Sequence, residues 1–423
     1  MRADRRILRV LRRNRIGSTD YPAANSVNSV SRSATNMLRD ATCGRPSIPL
    51  LGDQALNVSL KQPLQADSRA DVFTRDPRLA PSSAAKTLPE TQKQRVRRLA
   101  AHCQKYRGSV PRLAIQQLLT TIVPLVLIIG VMFATVEHAY WATLLLAVPA
   151  AGLLVRAFII QHDCGHGSFF ASRPLNDFVG RAMSVLTLAP YGLWRREHAQ
   201  HHATSGNLDR RGAGDINTMT VKEYVKLSKL RKLHYKLYRH PLFLFGLGVP
   251  AYFVIIQRLP WFHALPPRDA WKSVLALNVG LVALYAPLCY FFGVANVLWV
   301  GLPVLHIAAA TGGWLFFIQH QFEETTWDTA EGWDFQVAAL LGSSYYDLPK
   351  VLNWFTGNIG LHHIHHLNSM IPNYRLFACL DASPELKSIN RMTLRESLRC
   401  TRLKLWDEDQ RRLIGFDELP ATA

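Results

Sequence analysis

The stretch QHDCGHGSFF, Gln161 to Phe170, closes a long apolar run and carries two histidines, His162 and His166, four residues apart. On a helix that spacing puts both imidazoles on one face, one turn apart, where they can share a metal ion at the edge of a membrane. A histidine at such an edge also serves as an interfacial or packing residue, so the pair alone leaves both readings open. The run that leads into it, 140–160, follows a first uncharged run, 115–136, after only Glu137, His138 and Ala139. Crossing a bilayer takes about 20 apolar residues, so the two runs read as a helical hairpin. Arg156 lies a turn from the end of the second run, can snorkel to the interface, and marks the cytoplasmic side.

Downstream, the apolar segment 177–194 is interrupted by Arg181 and Pro190 and reads as interfacial; it leads into Arg195, Arg196, Glu197 and then HAQHH, His198 to His202. A Lys- and Arg-rich stretch follows, with a surface helix expected over 221–238. Three more apolar runs remain, 241–257, 274–294 and 297–318. His320 ends the last of them, and an even number of crossings between His202 and His320 would keep all histidine clusters on one side. The run 241–257 is short and broken by Gly246, Gly248 and Pro250, so it reads as interfacial or re-entrant. Four spans in two hairpins result, with Ala295 and Asn296 as the second tight link. Both links lack Lys and Arg, whereas the regions on the other side are rich in them, as the positive-inside rule requires for a cytoplasmic cap.

The 423 residues are 48% hydrophobic, with a net charge of +19 and a pI near 10.0. Apolar residues gathered in long runs point to an integral membrane domain, and the excess of cations to contact with anionic lipid, with no nucleic acid partner. Six scattered cysteines offer neither a disulfide framework nor a thiolate metal knuckle. Residues 1–88 are expected as a disordered basic extension, with an organelle transit peptide as the alternative; Met1 to Arg15 has no signal-peptide core. The rest divides into a juxtamembrane amphipathic helix over 89–113, a membrane domain over 114–380, and a helical cytoplasmic cap over 381–423. The expected class is all-α and membrane-embedded, in a bacterial inner membrane or, alternatively, a plastid membrane.

Eight of the sixteen histidines form three tight patterns: His162/His166, His198/His201/His202 and His362/His365/His366. In each triple the i, i+3, i+4 spacing puts three rings on one helical face, able to reach two neighbouring metal ions. His363 falls off that face and reads as structural. Imidazoles suit zinc, copper, iron and nickel, so the pattern announces a metal site without naming the metal. Asp163, Glu197, Asp215 and Asn358, with Asn368 beyond, are candidates to orient the rings. Phe169, Phe170, Trp194, Trp314 and Trp354 are candidate walls for an apolar tunnel.

HDCGH, HAQHH and HHIHH, in this order and spacing, resemble the three histidine boxes of the membrane fatty acid desaturases, over residues 115 to at least 380. The form of the first box, and a third box that opens on His362 and not on Gln, is similar to the omega-6 (delta-12) and omega-3 acyl-lipid branch. The resemblance implies four transmembrane helices under a cytosolic cap, two iron ions, and a ninth histidine ligand at the end of the fourth helix, where His320 stands. An Asn that serves the delta-9 branch four residues earlier is replaced here by Phe316. It further implies O2-dependent formation of a cis double bond in an acyl chain, oleoyl to linoleoyl in the first instance. With no dinucleotide fingerprint and no fused haem-binding HPGG segment, electrons would come from an external ferredoxin, or from a b-type cytochrome with its reductase. An omega-3 desaturase, a hydroxylase of fatty acyl chains or carotenoids, and more remotely a zinc-dependent membrane hydrolase or transporter are the competing readings.

Overall fold

The computed structural model describes residues 90–212, 215–259 and 267–419, all within one unit, 81–423. The extension 1–88 lies outside the described residues. The chain starts with α1 (Glu90–Gln104), then the hairpin of α2 (Pro111–Thr135) and α3 (Tyr140–His166). Two shorter helices follow, α4 (Arg173–Thr187) and α5 (Tyr191–Thr204). The predicted surface helix is two, α6 (Val221–Val225) and α7 (Lys229–Tyr238), because Ser228 accepts a hydrogen bond from the Arg231 N–H and starts a new helix.

The segment Pro241–Arg258 contains α8 (Pro241–Phe243), a wide π turn at Leu244–Gly248 and α9 (Val249–Val254). A second hairpin joins α10 (Pro267–Phe292) to α11 (Val294–His320). Its link is Gly293, at a positive φ of +80° that glycine adopts readily, so Ala295 and Asn296, expected as the link, lie inside α11. Short helices α12 (Phe335–Leu341), α13 (Lys350–Phe355), α14 (His362–Leu367), α15 (Leu376–Asp381) and α16 (Leu394–Ser397) complete the helical part.

Five helical stretches among the described residues are long and apolar enough to cross a membrane, one more than expected; Pro241–Arg258 is the addition. It starts next to α11, where Phe245 packs on Trp314 and Phe317 and Val249 closes on Gly313. It then turns to α3, where Phe253 meets Phe158, one turn before His162. α3 is the central span, 61% buried in its apolar window against 11–17% for the others. It packs on α2, α4, α5 and α11. The remaining spans expose leucines, valines and aromatics such as Leu127, Val282 and Tyr290, a surface that suits lipid and not water.

The class is mostly helical, not all-α. β1 (Tyr345–Asp347) pairs in parallel with β2 (Arg391–Thr393), and β3 (Leu405–Asp407) in antiparallel with β4 (Arg412–Ile414). The C-terminal stretch is therefore built from strands and single turns rather than a helix or two. α1 is amphipathic, but its buried Val96, Leu99 and Cys103 pack on protein, in one cluster with Leu340, Ile364 and Cys379, and not on a bilayer. Arg156 does not snorkel: it is buried, donates to the Thr121 hydroxyl and the Trp354 carbonyl, and lies under the Trp354 ring.

Candidate metal centre

α3 and α11 extend past their apolar runs, and those ends carry His162 and His166 on the first and His320 on the second. Gly167, at φ +79°, ends α3 directly after His166 with its N–H bonded back to the Cys164 carbonyl. A Cβ at Gly165 would come within 2.9 Å of the Trp194 ring, so the glycine of HDCGH is what lets α5 close on α3. α5 begins after Pro190, and its Tyr191 hydroxyl donates to the Cys164 carbonyl and Asp177. α14 is set by a left-handed turn at Gly357 and Asn358, φ +54° and +60°.

These elements bring nine imidazoles into two groups, each with donor nitrogens within 4.8 Å of one another. The first is His162, His166, His198, His202 and His365; the second is His201, His320, His362 and His366. Four Nε2 pairs, His201–His320, His320–His362, His198–His202 and His202–His365, stand 3.1 Å apart. Two nitrogens about 2.1 Å from one ion and at right angles would be separated by about 3.0 Å, so the spacing matches the edge of a coordination shell. The Nε2 atoms of His166 and His366 are buried without a hydrogen-bond partner, a cost that a bound ion would remove.

Burial first, then the neighbouring imidazoles, holds His198, His202, His362, His365 and His366 well below the ordinary histidine pKa. They are neutral near pH 7, the form that binds a metal.

Asp163 and Asp215, of the candidate orienting groups, each touch an imidazole. Asp163 Oδ1 faces His162 Nδ1 at 3.0 Å, while its Oδ2 accepts from the backbone and side-chain N–H of Asn373 at 2.6 and 2.8 Å. Asp215 Oδ1 faces His201 Nδ1 at 2.5 Å. Burial opposes its charge, but His201, His320 and a backbone bond at Gly212 hold the carboxyl below its usual range. Glu197 hydrogen-bonds Tyr252 of the segment after α8. Asn358 donates to the Asn373 carbonyl at 3.1 Å, one step removed from Asp163, and Asn368 accepts from the Met370 N–H. His363, fully buried against Tyr345, bonds the Leu386 carbonyl and stays out of both groups.

Sequence reasoning missed Asn373, the Gly342 carbonyl at 3.1 Å from His320 Nδ1, and Arg239. Arg239 is 1% exposed and donates to Thr218 Oγ1, the Leu403 carbonyl and Gln321 Oε1, the residue after His320. An arginine at the end of a basic helix gives no sign in sequence that it turns inward. Among the five aromatic candidates, Trp194 stacks on His198 at 4.6 Å; Phe169 and Phe170 pack on each other, Trp314 on Phe245, and Trp354 on Phe355 and Arg156. Phe316 rests its ring against His201 and His320.

The family model described as Fatty acid desaturase matches residues 138–386, which hold all nine imidazoles. The chain is 41% identical over 330 residues to a fatty acid desaturase of Bacillus subtilis, covering 78% of this chain and 92% of the relative. It is 26% identical to an sn-1 oleoyl-lipid 12-desaturase of Anabaena variabilis, over 59% of this chain and 71% of that protein. An sn-1 acyl-lipid omega-3 desaturase (ferredoxin) of Nostoc is 28% identical, over 61% and 72%. With its histidine groups at the ends of apolar helices, and with a relative this similar along nearly its whole length, the chain belongs to the fatty acid desaturase family.

Proposed function

We propose that this protein is an integral membrane acyl-lipid desaturase that forms a cis double bond at a histidine-held pair of irons. The observation that carries the reading is the convergence of nine imidazoles, five in one group and four in the other, at the ends of α3 and α11. His162, His166, His198, His202 and His365 would hold one iron, and His201, His320, His362 and His366 the other. Bound iron supplies the power to activate O2 and take hydrogen from an unactivated methylene. The balance is one O2, two hydrogens from the acyl chain, two electrons and two protons, giving two waters and the alkene.

The chain's own task is to hold the rings and keep the pocket dry. Asp163 and Asp215 accept the outward N–H of His162 and His201 and so fix which nitrogen faces inward. Trp194 on His198 and Phe316 on His201 and His320 present apolar faces that exclude water and suit an acyl chain.

Four crossings are the count we adopt. Two residues inside Pro241–Arg258 pack close to the level of the histidines, Phe245 near Phe317 and Phe253 near Phe158, which fits a shallow dip from one face. Such a dip keeps parity, and the cation-rich loops favour the cytoplasmic face of a bacterial membrane. Electrons would come from a ferredoxin or a b-type cytochrome; the name of the Nostoc relative favours the former. For the position of the double bond, delta-12 of an oleoyl lipid is our first reading, supported by the form of the first and third boxes and by the Anabaena relative.

The test is expression with a working electron donor in a host that lacks polyunsaturated lipids, followed by metal analysis and by mass spectrometry that locates double bonds. About two irons per chain and a new 18:2 lipid are expected. A double bond elsewhere, or 18:3 from supplied 18:2, would replace the delta-12 assignment. Oxygenated products would favour a hydroxylase, and stoichiometric zinc without O2 dependence would overturn the oxidase reading.

A further inference from the structure

Helix α7, KLRKLHYKLY, has two unlike faces. One buries Tyr235 in a cluster with Tyr224, Leu405 and Ile414. The other presents Leu230, Leu233 and Leu237, 62, 52 and 51% exposed. Residues at i, i+3 and i+7 form one stripe along a helix, so the exposure is a continuous apolar line and not a scatter. The line runs on into Leu242, Phe243 and Leu247, exposed residues of the segment that is itself apolar enough to enter a membrane. Exposed Lys226, Lys229 and Arg231 accompany it, while Lys232 and Lys236 stand over the Tyr224 and Phe416 rings on the buried side; no Asp or Glu occurs anywhere from residue 224 to 268.

An apolar stripe accompanied by exposed cations and followed in the chain by a membrane-entering element fits one kind of surface. We propose that α7 lies on an anionic lipid bilayer, its leucines at the acyl boundary and its cations against lipid phosphates. The residue after the helix is Arg239, whose buried guanidinium bonds Gln321 beside His320 and the Leu403 carbonyl near β3. Anionic lipid thereby seats the part of the cap that abuts the four-imidazole group. The inference rests on the bilayer placement of the spans.

Hydrogen exchange on the full chain in nanodiscs tests it, comparing phosphatidylcholine alone with phosphatidylcholine plus phosphatidylglycerol. Amides 229–238 should exchange at least about tenfold more slowly with phosphatidylglycerol at low salt, and the difference should vanish in high salt. K226Q/K229Q/R231Q should lose this dependence on lipid charge, and L230Q/L233Q/L237Q should lose protection in both lipids, with iron content kept in each. Equal exchange in the two lipids would overturn the proposal, as would protection that persists in detergent and grows with protein concentration, the sign of a second copy on the stripe. Free exchange along α2 and α3 in the nanodisc would be a separate result: it would overturn the membrane placement and the inference with it.

Discussion

The two imidazole groups share α5 and α14 but are held in different ways. The five-membered group draws on α3, α5 and α14, and its one outer carboxylate, Asp163, is pinned by Asn373 from 210 residues away. The four-membered group draws on α5, α11 and α14, and is backed by Asp215, the Gly342 carbonyl and the Gln321–Arg239 contact. One has a donor to spare. The other has fewer donors and more support around them, which suggests that the outer contacts compensate for the missing ring.

Removing one ring from each group is the strongest way to break this contrast. His320→Ala leaves three imidazoles in its group, and iron should fall from about two per chain to about one, with loss of desaturation. His166→Ala leaves four, and should retain iron close to the wild-type level in the same metal analysis. Equal iron loss in the two variants would show that donor number does not distinguish the groups.

A milder change addresses the outer carboxylates. Asp215→Asn should weaken iron binding by about 10–100-fold in a chelator competition, because His201 exchanges a charged acceptor for a weaker, neutral amide oxygen. Asp163→Asn should show a comparable loss together with a lower melting temperature, since the same carboxylate also holds Asn373. A change in metal affinity without one in stability would remove Asp163 from the fold and leave it in the site alone.

The smallest effect concerns Lys404, which donates to the Arg239 carbonyl on the four-membered side. Burial, and then Arg239, pushes its pKa down from 10.5 to about 8. Between those values the unfolded chain binds more protons than the folded one, so this group makes stability rise with pH from about 8 to about 10.5. Thermal melts should show the increment in the wild type and not in Lys404→Met.

How much of the molecule is legible in its sequence follows from the range of the interactions. The apolar runs and the i, i+3, i+4 histidines are local patterns that helix geometry turns directly into faces and spans. The allotment of His201 and His202 to different groups depends on where α11 and α14 arrive, and no spacing within HAQHH carries that. Asn373 meets Asp163 only through the fold. Strands of three residues, such as Leu405–Asp407, are too short for an alternating pattern to stand out. The amphipathic pattern of α1 is legible, but whether its partner is lipid or protein is not, because Val96 and Leu99 would suit either.

Neighbours in the chain that part company have one more effect. His201 and His202 serve different groups, and so do His365 and His366. Successive side chains on a helix diverge by about 100°, so α5 and α14 each act as a ruler laid across both groups. The interval between the groups is thus gauged twice by peptide geometry, independently of whatever lies between them. Were ions of different radius bound in turn, bonds within each group would stretch or shorten and that interval would be left to the backbone.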